Sequence, residues 1–437
     1  MAGRRLRNLI ARYRDTLGLF RWLHREYGPI VRYRILGFEF CLLSDPELIE
    51  EVLYAKRQSF EKGFMYKRSL LLPRPTIITG DGEDHKRRRR LVQPYFDRRM
   101  LDANASIMAE QVVATRDEWR DGEILDMDGT AHELTLSISL EIFFGNTLQV
   151  DATMLRRVLK LCGIDIASAM LPSRRLRRLI LSSFRRLRGA YRELAEQVLA
   201  GVQSARAEDT SRFDLVSYLA RATDEDGEHA FSEEEVVDGV IEMLIASLTT
   251  TATTITWATY YLARNPVARE RLEREVDETL NGRVPTFEDC ERLRYTGAVI
   301  SEVLRLAPPA YYLGRKATRD CTVGGYFIPA GANVQLFCFP SPRDERYFPH
   351  ADEFRPERWL ESQPARPRCS YMPFSSGTRG CAGEAFGRTN LTCALAGIAQ
   401  QWRLDLVSEE FPKLNTLASY AFRDGLPVRA SGRSQGS

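Results

Sequence analysis

The sequence contains no Cys-x-x-Cys pair. Its eight cysteines, Cys41, Cys162, Cys290, Cys321, Cys338, Cys369, Cys381 and Cys393, are scattered. That spacing argues against a zinc site or an iron–sulfur cluster. No apolar run follows Met1-Ala2-Gly3-Arg4-Arg5, so no secretory signal is expected and reduced thiols in a cytoplasmic protein are predicted. The one long uncharged run, Met243 to Ala263, is rich in threonine and lacks flanking anchors. It predicts a buried core helix rather than a transmembrane segment. Net charge is only +3 over 437 residues, which implies no global attraction to nucleic acid. Lysine is scarce beside arginine, a bias read as genome composition. Gly80 and Gly82 make a Gly-x-Gly with no third glycine, so phosphate binding there is not expected. No flavin or nicotinamide signature is evident.

What is present is an ordinary globular composition, 44% hydrophobic and 28% charged, long enough for a sizeable core. The most informative stretch is Phe374-Ser375-Ser376-Gly377-Thr378-Arg379-Gly380-Cys381-Ala382-Gly383. A helical pattern follows at once, from Ala385 to Trp402. Cys381 is thereby delivered to a helix N-terminus, where free amides and the helix dipole favour a thiolate. Gly377 and Gly380 remove side chains where a flat cofactor would lie. Arg379 supplies a cation for carboxylates, and Phe374 an aromatic face. Together these describe the proximal side of a haem whose axial ligand is a thiolate.

The full spacing Phe-x-x-Gly-x-Arg-x-Cys-x-Gly resembles the haem-binding signature of the cytochrome P450 family. Three further motifs stand in that family's order, and the resemblance covers about residues 20–430. Glu302-Val303-Leu304-Arg305, followed by Phe354-Arg355-Pro356-Glu357-Arg358-Trp359, resembles the family's buried Glu–Arg–Arg triad, here Glu302, Arg305 and Arg358. A carboxylate between two guanidiniums suits arginine's bidentate geometry. His85 and Arg89 share a helix face, and the resemblance implies that they hold haem propionates, with Arg315 and Arg379 as further clamps. Ala246-Ser247-Leu248-Thr249-Thr250 matches the distal helix. There Thr250 would assist dioxygen protonation, with Ala246 against the cofactor and Gly383 beside the ligand. This chain departs from the pattern at two positions. Ser247 replaces the usual glycine, and Thr249 replaces the usual Asp or Glu, which puts ordinary proton delivery in doubt.

The resemblance implies one mainly α domain over residues 1–437 with a small β-rich lobe, the cytochrome P450 fold. It implies haem b and a monooxygenase acting on an apolar small molecule, with secondary metabolism as the expected setting. No reductase or ferredoxin module follows Cys381, so NAD(P)H-derived electrons are expected through separate partners, a ferredoxin or flavodoxin-type donor. Candidate pocket residues are Phe64, Leu70, Leu71, Ala246, Thr250, Tyr311, Tyr312 and Leu417. Two alternatives remain open: peroxide-driven or non-hydroxylating chemistry (desaturation, coupling, dehydration), and a haem-carrying binding or sensor protein.

Along the chain, residues 1–24 read as a basic amphipathic segment. Helices are predicted over Glu83 to Tyr95, 100–118, 129–144, 151–205 with a break near Met170–Ser173, Ser232 to Ala263, and 296–306. Ser232 with Glu235 forms a capping box. Val323–Gly331 and Ala332–Cys338 read as a hairpin. Lys86, Arg87, Arg88 and Arg90 are candidates for docking an acidic electron donor. Arg174 to Arg192 holds eight arginines and resembles the family's mobile lid; a solvated helix face is expected there, with weak contact to an anionic membrane surface or an acidic carrier protein as the alternative. A monomer is expected, with residues 431–437 as a disordered tail.

Overall fold

The computed structural model describes residues 15–433, apart from 36, 64–66, 69–73, 146–151, 170, 172, 208–212, 225–226, 363–364 and 417–418. Among the pocket candidates, Phe64, Leu70, Leu71 and Leu417 lie outside the described residues. So do residues 1–14 of the basic N-terminal segment; the first described helix is Thr16–Tyr27.

One helix, Glu233–Arg264, runs through the middle of the molecule. It starts where the capping box predicts. Ser232 Oγ accepts from the Glu235 amide at 3.2 Å, and Glu235 Oε2 accepts from the Ser232 amide at 2.8 Å. Its many β-branched residues disfavour an isolated helix. Burial holds it instead, and its threonines bond backward. Thr254 donates to the Thr250 carbonyl at 2.8 Å, Thr256 to Ala252 at 2.9 Å and Thr259 to Ile255 at 3.1 Å. Trp257, fully buried, donates to the Tyr420 carbonyl at 2.7 Å and stacks on its ring. This is the described helix with the length and hydropathy of a membrane span, and 67% of the qualifying window is buried inside the protein.

Around it pack Met127–Phe144, Arg294–Leu306 and Glu384–Ala399, and Arg98–Asp117 packs in turn against Met127–Phe144 and Glu384–Ala399. A basic pair of helices, Arg174–Ser183 and Arg185–Ala207, lies over the outer side. Leu176, Leu179 and Phe184 are exposed there among the arginines.

The β lobe joins distant parts of the chain. Strands β1 (Ile30–Ile35) and β2 (Phe38–Leu43) form a local hairpin. With β3 (Phe60–Lys62), β5 (Tyr312–Ala317) and β8 (Asn333–Phe337) they make a five-stranded sheet in the order β1-β2-β8-β5-β3. Here β2 and β8 run parallel. A smaller sheet pairs β4 (Ile124–Asp126) with β12 (Pro427–Gly432) and β9 (Trp402–Leu406).

Two boundaries differ from the sequence reading. The hairpin in the 323–338 region is the short pair Cys321–Val323 and Tyr326–Ile328, turned by Gly324 at φ 55 and Gly325 at φ 81. Residues 332–338 do not fold back on it, because β8 finds larger partners in β2 and β5. At the other end, β12 continues through Gly432, held against β9 by Ser431 opposite Arg403, so the tail begins later than 431.

Candidate functional site

The Cys381 loop is held on every side by backbone bonds. The Cys381 amide donates to the Phe374 carbonyl at 2.8 Å, closing the loop. Ser375 adopts φ 64, a left-handed conformation rare for a non-glycine residue and of order 1–3 kcal/mol unfavourable. Gly377 sits at φ 72, and a Cβ there would lie 3.0 Å from the Leu53 carbonyl oxygen, so glycine is required. Tyr54 reinforces the turn: its hydroxyl bonds Ser376 Oγ and accepts from the Gly377 amide at 3.0 Å. Gly383 then caps the helix Glu384–Ala399.

Arg89 reaches across to this loop, donating to the carbonyls of Gly380 at 2.6 Å and Cys381 at 3.4 Å. Gln93, one turn on, donates to the Ala382 carbonyl at 3.4 Å. Arg388 lies over the Phe374 ring, 4.9 Å from its centroid. Cys381 is exposed at the surface of this scaffold, yet the dense protein behind it pushes its thiol above the ordinary range, opposed by the Gly383 amide and Arg89.

Beside the loop opens a cavity of about 770 Å³, lined among others by Lys62, His85, Arg89, Arg315, Ser376 and Arg379. Arg379 pairs with Asp81 through one nitrogen, while its buried Nη1 has no hydrogen-bond partner. His85 is buried and pushed down to about 4, by burial first and then by Arg379, Arg89 and Lys62. It is a neutral imidazole there, able to donate one N–H. A buried donor without an acceptor in a cationic cleft calls for anionic oxygen atoms. The residues therefore fit a haem: a cysteine sulfur for iron and a cluster of donors for two carboxylates.

The triad is assembled as expected. Arg305 grips Glu302 through two bonds of 2.8 Å, and Arg358 Nε donates to Glu302 at 3.0 Å. All three side chains are buried. The sequence reading missed two further donors to the same carboxylate, Trp359 Nε1 and the Arg355 amide, each at 2.9 Å. Arg305 and Arg358 also satisfy the carbonyls of Pro342, Ala351, Glu353, Pro349 and His350. The ions thus fasten the segment leading to the cysteine loop.

On the central helix, Ala246 and Thr250 are exposed while Leu244, Leu248, Thr251 and Ala252 around them are buried. They form an open strip on an otherwise packed rod. Thr250 Oγ1 donates to the Ala246 carbonyl at 2.9 Å. Ser247 turns aside to Ser139, 3.1 Å away, and to the Leu244 carbonyl. Thr249 is half-buried.

Two candidate assignments change. Tyr311 is not a pocket wall: it is 1% exposed, and its hydroxyl is committed to the Thr416 carbonyl. Tyr312 is half-buried, edge-on to Phe20. The basic docking run is also thinner than its sequence. Arg88 is buried between Asp84 and Glu235, and Arg87 bonds the Ala230 carbonyl. Lys86 and Arg90 stay at the surface.

Comparison with known proteins gives a consistent result. A family model described as Cytochrome P450 matches residues 7–422. Cyclooctatin synthase of Streptomyces melanosporofaciens is 33% identical over 382 residues, covering 86% of this chain and 83% of its own. Pentalenene oxygenase of Streptomyces avermitilis is 29% identical over 412 residues, covering 94% and 92%. Among solved structures, the retinoic acid bound cyanobacterial CYP120A1 superposes with a TM-score of 0.84 at 21% identity, over 94% of each chain, a likeness of fold.

Proposed function

Because this chain belongs to the cytochrome P450 family and is a monooxygenase of that family, we propose that it oxidises an apolar, terpenoid-like small molecule with electrons from a separate ferredoxin- or flavodoxin-type protein. The observation that carries the reading is the exposed Cys381, fixed by backbone bonds beside a cation-lined cleft. The substrate class is drawn from relatives whose names point to pentalenene and cyclooctatin.

Haem, when bound, supplies the oxidising power, and a thiolate ligand favours O–O cleavage. Cys381 would hold the iron. Arg89, Arg315, Arg379 and a neutral His85 would take the carboxylates. Ala246 leaves room along the open strip. Thr250 can release its bond to the Ala246 carbonyl and hold a proton-bearing water instead. The chain works as a single-domain monomer, and its arginine-rich lid makes at most a weak contact with an anionic membrane surface.

The test is a carbon monoxide difference spectrum of the reduced, haem-loaded protein, which should carry the band of thiolate ligation. Cys381→Ala should abolish it; an unaltered spectrum overturns the reading. Pentalenene is a first probe for displacement of the water on ferric haem. A second reading, oxidation driven by hydrogen peroxide, is favoured by the absence of a carboxylate at Thr249. Product formed with peroxide, and none with redox partners, would decide for it.

A further inference from the structure

Cys290 and Cys393 take no part in the cofactor seat, yet their sulfur atoms lie 3.5 Å apart, from positions 103 residues apart in the chain. Cys393 stands midway along the helix Glu384–Ala399, which follows the Cys381 loop, and it is fully buried. Cys290 is on the short helix Phe287–Arg292 and is half-buried. One sulfur is sealed in the core, and the other is within reach of solvent.

The short helix is pinned where it is. Thr286 and Asp289 close a capping box at its start: Asp289 accepts from the Thr286 amide at 3.1 Å, and Thr286 Oγ1 accepts from the Asp289 amide at 3.2 Å. Arg98 donates to both oxygens of Glu291, at 2.9 and 2.8 Å, and its guanidinium lies 5.3 Å from the centre of the Phe287 ring. These ties hold Cys290 against the helix that carries Cys393. A disulfide brings its sulfurs to about 2.05 Å, so the pair has roughly 1.5 Å to close, a distance that side-chain rotation covers. The Cys393 thiol is pushed well above its ordinary range, by its bond to Cys290 first and by burial second. It keeps its proton, and Cys290 is left to meet reagents from solvent.

We propose that Cys290 and Cys393 form a reversible disulfide, made by hydrogen peroxide, that staples the helix following Cys381 to the segment leading into the Glu302 helix. Cys290, as thiolate, attacks one oxygen of the peroxide. The O–O bond breaks, Cys290 becomes a sulfenic acid, and the hydroxide released leaves as water with the thiol proton. The Cys393 sulfur then displaces the hydroxyl group from Cys290. The S–S bond forms, the S–O bond breaks, and a second water leaves with the Cys393 proton. Two electrons pass from the sulfur pair to the peroxide. The closed bond shortens the free chain of the unfolded state and so favours the folded one. It needs only peroxide at Cys290, and it does not depend on the substrate or electron donor assigned above.

The experiment uses the full haem-loaded chain, reduced with dithiothreitol and desalted. It is treated with hydrogen peroxide in small excess and, in parallel, with diamide, which oxidises thiols and spares haem. Remaining thiols are blocked with N-ethylmaleimide and peptides are mapped without reduction. Both oxidants should give a cross-linked peptide pair holding Cys290 and Cys393, with the loss of one pair of titratable thiols, reversed by dithiothreitol. The oxidised protein should unfold at a higher guanidinium concentration than the reduced one, and C290A and C393A should show no such shift. C290A changes the half-buried partner and keeps the comparison where C393A fails to fold. Cys290 still open to N-ethylmaleimide after both oxidants, Cys290 as a sulfinic acid without a cross-link, or the same thiol loss in C290A would overturn the proposal. A cross-link made by diamide and not by peroxide would overturn the peroxide step, and an unmoved unfolding midpoint would overturn the staple. The carbon monoxide spectrum of the same samples reports on Cys381 separately, so failure of the thiolate reading is told apart from failure of the pair.

Discussion

The loop around Cys381 and the open strip around Thr250 face the same chemistry but are built in different ways. The loop is tied by Arg89, Tyr54, Gln93 and its own Phe374 carbonyl, and behind it Glu302 is surrounded by five donor bonds. The strip makes few polar contacts: Thr250 bonds its own helix, and Ser247 bonds Ser139. One side is a rigid seat, where a displaced atom leaves a buried charge or carbonyl unpaired. The other is a surface that small side chains leave open, where substitution changes the reaction more than the fold.

That contrast is sharpest for Glu302. Replacing Glu302 with Ala strands two buried guanidiniums and should cost about 3–5 kcal/mol. Denaturant unfolding and haem absorbance per chain would both register the loss; a wild-type midpoint would break the comparison. His85 offers a pH test on the same side. Its pKa is depressed in the folded chain, from 6.5 to about 4. The stability it contributes is present above pH 6.5 and is lost as pH falls through about 4. In haem-free protein, His85→Gln should flatten that acid-side loss, read from thermal unfolding at a series of pH values.

On the open side, Thr250→Ala should leave the unfolding midpoint nearly unchanged. It removes a hydroxyl worth ~1 kcal/mol in a hydrogen bond, so product per electron should drop about fivefold. A large stability loss with intact coupling would reverse the contrast. The smallest effect is expected at Tyr311→Phe. It leaves the Thr416 carbonyl unpaired, about 1 kcal/mol in stability, with the substrate-binding spectrum unmoved.

The rigid side was largely legible in the sequence because its chemistry is carried by residue types that have few other uses at that spacing. Cys381 between glycines, Glu302 three residues before Arg305, and Arg358 inside an aromatic–proline run each restrict the geometry by themselves. Helices were legible too, down to the Ser232 capping box. What escaped was set by distant approach. Tyr54 meets Ser376 and Asp81 meets Arg379 across about 300 residues, and nothing local marks either. Arg88 looked like part of a solvated run, and only the arrival of Glu235 buries it. Tyr311 read as a pocket residue from its place before a strand, whereas the Thr416 carbonyl turns it into packing. The Glu242 carboxylate stood inside a core-helix pattern, and its partners Thr76 and Ile78 belong to a stretch without periodicity.

The five-stranded sheet carries a consequence for how the molecule is made. Tyr33 on β1 donates its hydroxyl to Gln335 on β8, 302 residues away, and β2 lies parallel to the same strand. During synthesis the β1–β2 hairpin emerges early, but its sheet partners follow on the order of tens of seconds later at ordinary elongation rates. For that interval β2 presents a bare edge bearing Phe40, Cys41, Leu42 and Leu43, all buried in the finished protein. The cysteine loop is translated after β8, so the cofactor seat cannot be complete before the strand that covers this edge has been made. The yield of active protein should therefore respond to chaperone supply and to slowed growth more than to cofactor supply alone.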